Sequence, residues 1–158
     1  MSSLYNLHKL CIAKGVSVAV AESCTSGIIA SKLTTLSGSS SYFKGGIVAY
    51  QNEIKTKFLA VSQSIIDEKT EVSSDVVIQM AKSILEKFNT DFSIATSGYA
   101  GPNGGTNKNP IGTVFIAIAS EVDVAVSCFI FLGNRQSIVN QASESALSLL
   151  LTEIKKQY

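Results

Sequence analysis

Histidine is nearly absent from this chain of 158 residues: His8 is the only one, and it falls in an N-terminal helix-like stretch away from every glycine-rich turn. A Ser-His-Asp triad or a histidine-based metal site would have to use that residue, which sets both aside. Arginine is equally scarce. Arg135 is the only one among thirteen basic residues, so a bidentate grip on an oxyanion or phosphate can come only from there. Cys11, Cys24 and Cys128 are an odd number without CxxC spacing, which points to neither a disulfide framework nor a zinc cluster. Charged residues make up only 16% of the chain, the formal net charge is +1, and the longest lysine run is the pair Lys155-Lys156. A basic face for nucleic acid is therefore not expected. No uninterrupted apolar run approaches the roughly 18 residues of a membrane span, and Met1-Ser2-Ser3-Leu4-Tyr5 lacks the basic start and apolar core of a signal peptide. A cytoplasmic protein is expected.

What is present is apolar residue in quantity, 46% of the chain, with a mean hydropathy of +0.27. Residues 1–158 are expected to form one domain with a substantial core, and the excess hydropathy suggests a homo-oligomer with apolar surface buried between subunits. Helical spacing runs through residues 4–14 and stops at Gly15. A first strand is predicted over 16–21, a helix over 25–35, a second strand over 45–50 and a short helix over about 52–58. Residues 62–73 read as polar connection. Val77, Ala81, Ile84, Leu85 and Phe88 mark one face of a helix capped by Ser73-Ser74-Asp75. A third strand covers 92–96. Segment 98–112 contains both prolines and five of the eleven glycines, a loop long enough to suggest function. Residues 113–119 and 124–131 predict a hairpin, and a last long helix begins near Asn134 or Arg135. This order predicts a three-layer α/β/α single domain with a mixed parallel and antiparallel sheet.

The densest chemistry lies in Ala-Glu-Ser-Cys-Thr-Ser-Gly, residues 21–27, at the predicted passage from the first strand to its helix. A hydroxyl at such a turn can cap the helix, bind an anion, or attack a carbonyl whose oxyanion faces the unpaired helix N–H groups. On position alone the cap is the commoner role for Ser23, with Thr25 and Ser26 as rivals for it. Cys24 is a small core filler or a competing nucleophile. A serine nucleophile needs a base. With histidine set aside, a lysine whose pKa is lowered by burial can serve. Lys55 stands five positions past Tyr50, just after the second strand. If the first two strands are neighbours, Ser23, Tyr50 and Lys55 share the edge where open α/β sheets bind ligands. The bland readings are a solvated helix lysine for Lys55 and a core-packed aromatic for Tyr50. The 98–112 loop is either a nest of N–H groups for an anion or a wide turn. Arg135 at a helix start opposes the helix dipole, which favours a ligand role over an idle exposed side chain.

Five separated stretches, Ala-Glu-Ser-Cys-Thr-Ser-Gly (21–27), Gly-Ser-Ser-Ser-Tyr-Phe-Lys-Gly-Gly-Ile-Val-Ala-Tyr-Gln-Asn-Glu-Ile-Lys (38–55), Ser-Gly-Tyr-Ala-Gly-Pro-Asn-Gly-Gly-Thr (97–106), Pro-Ile-Gly-Thr-Val (110–114) and Gly-Asn-Arg (133–135), together resemble the C-terminal domain of the competence/damage-inducible CinA proteins. Stand-alone versions of that domain are nicotinamide-nucleotide amidohydrolases. The resemblance implies hydrolysis of the carboxamide of nicotinamide mononucleotide in pyridine-nucleotide salvage, with no metal or other cofactor. It also implies a catalytic serine, tyrosine and lysine, which map onto Ser23, Tyr50 and Lys55. Candidate substrate contacts are Thr25, Gly27, Lys44, Gly45, Gly101, Gly104, Gly105, Thr106 and Arg135. The chain departs from the family pattern at Ser26 (usually glycine), Lys44 (commonly arginine), Tyr99 (usually aliphatic) and Asn134 (usually aspartate). A catalytically silent nucleotide-binding module and an amidase for another carboxamide are the alternatives.

Overall fold

The computed structural model describes residues 2–158. Five strands form one sheet in the order β2-β1-β3-β4-β5. These are β1 (Val18–Glu22), β2 (Phe43–Val48), β3 (Phe92–Gly98), β4 (Thr113–Ser120) and β5 (Val124–Ile130). β1 pairs parallel with both β2 and β3, whereas β3–β4 and β4–β5 are antiparallel. The mixed sheet expected from the order of elements is what forms. Strands β1, β2 and β3 consequently end at one edge, and the segments that follow them converge there.

Six helices cover the two faces: α1 (Ser3–Lys14), α2 (Ile28–Leu33), α3 (Asn52–Leu59), α4 (Gln63–Lys69), α5 (Ser74–Phe88) and α6 (Arg135–Gln157). Side chains alternate across each strand, so the two faces of the sheet carry different residues. Val18, Val20, Ile94, Ile116 and Ile118 face α1, α2 and α6, where Leu7, Ile29, Leu33, Leu147 and Leu150 complete one core. Each such fully buried branched side chain stabilises the fold by about 1.5–3 kcal/mol. The opposite face is alanine: Ala19, Ala21, Ala95, Ala117 and Ala119 meet Val76, Val77, Met80 and Ile84 of α5. Small residues on the sheet leave room for that helix to carry the bulk. Its N-cap is Ser73, whose hydroxyl accepts from the Val76 N–H, as its position in the sequence predicts.

Two differences from the sequence reading concern the connections. Residues 62–73 are not wholly polar connection: α4 occupies seven of them, with Ile66 buried. The helix after β1 is shorter than expected and starts at Ile28, because the chain first passes through a turn with Ser26 at φ +46 and Gly27 at φ +99. Ser26 thus holds a left-handed conformation that glycine adopts more easily. No described helix is long and apolar enough to cross a membrane.

Candidate active site

The turn after β1 is organised by a residue that the sequence reading passed over. Glu22 ends the strand fully buried, and its carboxylate accepts from the N–H groups of Ile29 (2.9 Å) and Ala30 (3.0 Å). The Ile28 N–H donates to Thr25 O and the Ser31 N–H to Gly27 O. The first-turn donors of α2 are therefore occupied, and its positive end is met by a carboxylate. This corrects the expectation that these N–H groups face a substrate oxyanion. It also removes the capping role from Ser23, since Gly27 occupies the N-cap position and Glu22 supplies the acceptors. The Ser23 backbone is fixed on both sides: its N–H donates to Thr96 O (3.1 Å), and its carbonyl accepts from Ser26 N–H (3.0 Å).

Ser23 lines a pocket of about 300 Å³ at the carboxyl ends of β1, β2 and β3, shared with Tyr50, Lys55, Glu71, Ser97 and Arg135 among others. That volume lies at the small end of small-molecule sites, roughly 300–1,000 Å³. The edge is the one predicted from β1 and β2 being neighbours. Lys55, on the first turn of α3, is only 1% exposed, and its Nζ donates to the Tyr50 carbonyl at 3.1 Å. Burial pushes its pKa below 10.5, with Glu71 and then Cys24 acting in the opposite direction. Lys55 is thus not the solvated helix lysine of the bland reading. Cys24 is buried, and its thiol is pushed up to about 12 chiefly by desolvation. A thiol so slow to ionise is a poor nucleophile beside the Ser23 hydroxyl.

Tyr50 is 54% exposed and is not packed on the core. Its hydroxyl accepts from Arg135 Nη2 (2.8 Å), and Arg135 Nη1 donates to Gly101 O (2.7 Å). The single arginine therefore leaves the start of α6 to tie the glycine-rich loop to Tyr50 across the pocket mouth. Asn134 caps α6, its Oδ1 accepting from the Ser137 N–H.

Several expected substrate contacts lie elsewhere. Lys44 and Gly45 sit at the start of β2, at the opposite end of the sheet from the pocket. Lys44 is the extra residue at the register shift between Val18 and Ala19, and its Nζ donates to the Phe88 and Asn89 carbonyls at the C-terminus of α5. Thr25 is fully buried, its hydroxyl 2.8 Å from that of Thr96, where it braces the turn beneath Ser23. Gly27 shapes the same turn without lining the pocket. Gly104, Gly105 and Thr106 border a separate open hollow that shares no wall residue with the pocket. Gly101 enters through its carbonyl on Arg135. Glu71 and Ser97 are wall residues that the sequence reading missed. Ser97 was legible as the end of a strand, and Glu71 lay in a stretch read as polar connection. His8 bonds Tyr42 far from these groups, and among the described residues no three His, Cys, Asp or Glu side chains are grouped to hold a metal ion.

Fold and site thus define an α/β protein with a pocket at the carboxyl edge of its parallel strands, lined by a buried lysine and by the serine turn after β1. The model of the CinA C-terminal domain matches residues 2–154, and the chain belongs to that family. It is 45% identical over 152 residues to a CinA-like protein of Flavobacterium psychrophilum, covering 96% of this chain and 36% of that protein. A CinA-like protein of Desulfotalea psychrophila is 43% identical over 139 residues, 88% of this chain and 34% of that one. The chain therefore spans about a third of the length of these relatives. The crystal structure of a CinA-superfamily protein from Klebsiella pneumoniae superposes with a TM-score of 0.94 at 30% identity, covering 98% of this chain and 96% of that chain. One from Escherichia coli gives 0.90 at 32% identity, covering 95% and 88%.

Replacing Glu22 by alanine strands two buried N–H donors and is expected to lower unfolding stability by about 3 kcal/mol in a denaturant titration; a change within ~0.5 kcal/mol contradicts the capping role. For Lys55 the sign follows from linkage. Its folded pKa is depressed, so between that value and 10.5 the unfolded chain holds more protons than the folded one. Wild-type stability is expected to rise with pH through that window relative to Lys55→Met. Parallel stability curves for the two proteins would contradict a depressed pKa.

Proposed function

We propose that the chain hydrolyses the carboxamide of nicotinamide mononucleotide, giving nicotinate mononucleotide and ammonia. The observation that carries this reading is the buried lysine on the wall of the same pocket as a serine relieved of helix-capping duty. A lysine that sheds its proton easily can act as base toward a hydroxyl, which a solvated lysine at neutral pH cannot. The resemblance of motifs and the family membership support a serine, tyrosine and lysine as the catalytic set.

In this reading the neutral Lys55 amine takes the proton of the Ser23 hydroxyl as Oγ bonds to the carboxamide carbon. The C=O electrons move to oxygen, and backbone N–H groups of the turn after Ser23 are the candidate donors to that oxyanion. The intermediate collapses as the Lys55 ammonium protonates the departing nitrogen, the C–N bond breaks, and ammonia leaves an ester on Ser23. Water, deprotonated by the same amine, then attacks the ester. The acid is released and the hydroxyl restored. Tyr50, whose carbonyl holds Lys55 and whose hydroxyl is held by Arg135, aligns the base with the pocket mouth. Arg135 offers the ribose phosphate a cationic partner.

The test is ammonia release from nicotinamide mononucleotide. Wild type is expected to release it, and Ser23→Ala to lose at least about a thousandfold in kcat while still binding the nucleotide. Nucleotide binding by the wild type without ammonia release would instead indicate a silent binding module. Release from other carboxamides but not from this one would indicate a different amidase.

A further inference from the structure

The pocket mixes charges in a way the proposed reaction does not require. Lys55 and Arg135 are its cationic groups, and among the described residues Glu71 is the one acid in its wall. An acid near the site of an anionic phosphate weakens binding unless it faces a positive group of the ligand.

Its placement is also enforced. Thr70, immediately before it, holds φ +65 and ψ 168, a conformation unfavourable for a β-branched residue that persists only where the surroundings determine it. Hydrogen bonds fix the segment, including contacts of the Thr70 hydroxyl with the Val72 backbone at 3.3 Å. Thr70 N–H donates to Ile66 O (2.8 Å), Ser73 Oγ to Thr70 O (3.1 Å), Ser97 Oγ to Glu71 O (2.7 Å) and Asn109 Nδ2 to Val72 O (3.1 Å). The backbone of Glu71 is thus pinned to the end of β3 in the wall of the pocket that also contains Lys55, whose charged form the Glu71 carboxylate favours.

We propose that Glu71 is the specificity-determining acid of this pocket, its carboxylate pairing with the positively charged pyridinium ring of the nucleotide. This rests on the function proposed above. The scissile carboxamide is bonded directly to that ring, so an acid beside the base that serves the carboxamide is within reach of the ring charge. The phosphate, at the other end of the molecule, falls to Arg135. The chemistry selected is a cationic N-ribosyl aromatic amide over a neutral amide of the same shape. A cation against Glu71 also withdraws part of the field that keeps the Lys55 amine charged.

The ligand pair that isolates ring charge is nicotinamide mononucleotide and its reduced form, which has a neutral dihydropyridine ring on the same ribose phosphate. In a Ser23→Ala background, titration calorimetry is expected to show at least about tenfold preference for the oxidised nucleotide. Adding Glu71→Gln should abolish that preference by weakening the oxidised nucleotide alone. Adding Glu71→Asp should retain most of it. Equal weakening of both ligands by Glu71→Gln, or an unchanged preference, overturns the assignment. Failure of wild type to release ammonia from the oxidised nucleotide overturns the proposed function and this assignment together. Release accompanied by an unchanged preference in Glu71→Gln overturns the assignment alone.

Discussion

An ammonium group removed from water loses hydration that a protein interior replaces only in part, so its neutral form gains ground. Lys55 bears that loss on the first turn of α3, with the Tyr50 carbonyl as its hydrogen-bond acceptor. The sheet makes the placement possible. Because β1, β2 and β3 run parallel, the turn carrying Ser23, the segment carrying Tyr50 and Lys55, and the end of β3 carrying Ser97 reach one edge. A buried amine with a lowered pKa then lines the same pocket as the Ser23 hydroxyl, in a protein whose one histidine lies outside that pocket.

Glu22 divides the labour at the turn. A short helix starting beside a buried strand has N–H groups that need acceptors, and serine or threonine hydroxyls commonly supply them. Here a carboxylate from the strand supplies two acceptors, which releases Ser23 from that role. It also closes the helix end to anions. In the proposed reaction the candidate oxyanion donors are then the N–H groups of the turn preceding α2. Charge is segregated accordingly: one carboxylate caps the helix, a second lines the pocket, and Arg135 spans from the Gly101 carbonyl to the Tyr50 hydroxyl.

The legibility of this arrangement in the sequence followed physical rules. Capping at Ser73, the helix stop at Gly15 and the hairpin of the last two strands are local, and they formed as expected. Scarce histidine and arginine leave Lys55 and Arg135 as the candidates, and both line the pocket. Lys44, Gly45 and Thr25 shared motifs with pocket residues but not their positions. A strand of six residues separates its ends by roughly 17 Å, so adjacency to a motif does not imply sharing its edge. Helix α4 was illegible because it is short and its N-cap Ser62 makes no side-chain capping bond. Glu71 was illegible because its place depends on Thr70 adopting a backbone conformation that its residue type disfavours, imposed by bonds from β3 and the long loop.

Burial in the intact fold lets Lys55 give up its proton more readily than an ordinary lysine. The most direct measurement is a pH titration of ¹³Cε lysine resonances in the native protein, with Lys55→Met identifying the Lys55 signal. This one resonance is expected to titrate below 10.5 in the folded protein, and denaturation to return it to the ordinary lysine range. A Lys55 resonance titrating at or above that value in the folded protein would contradict it.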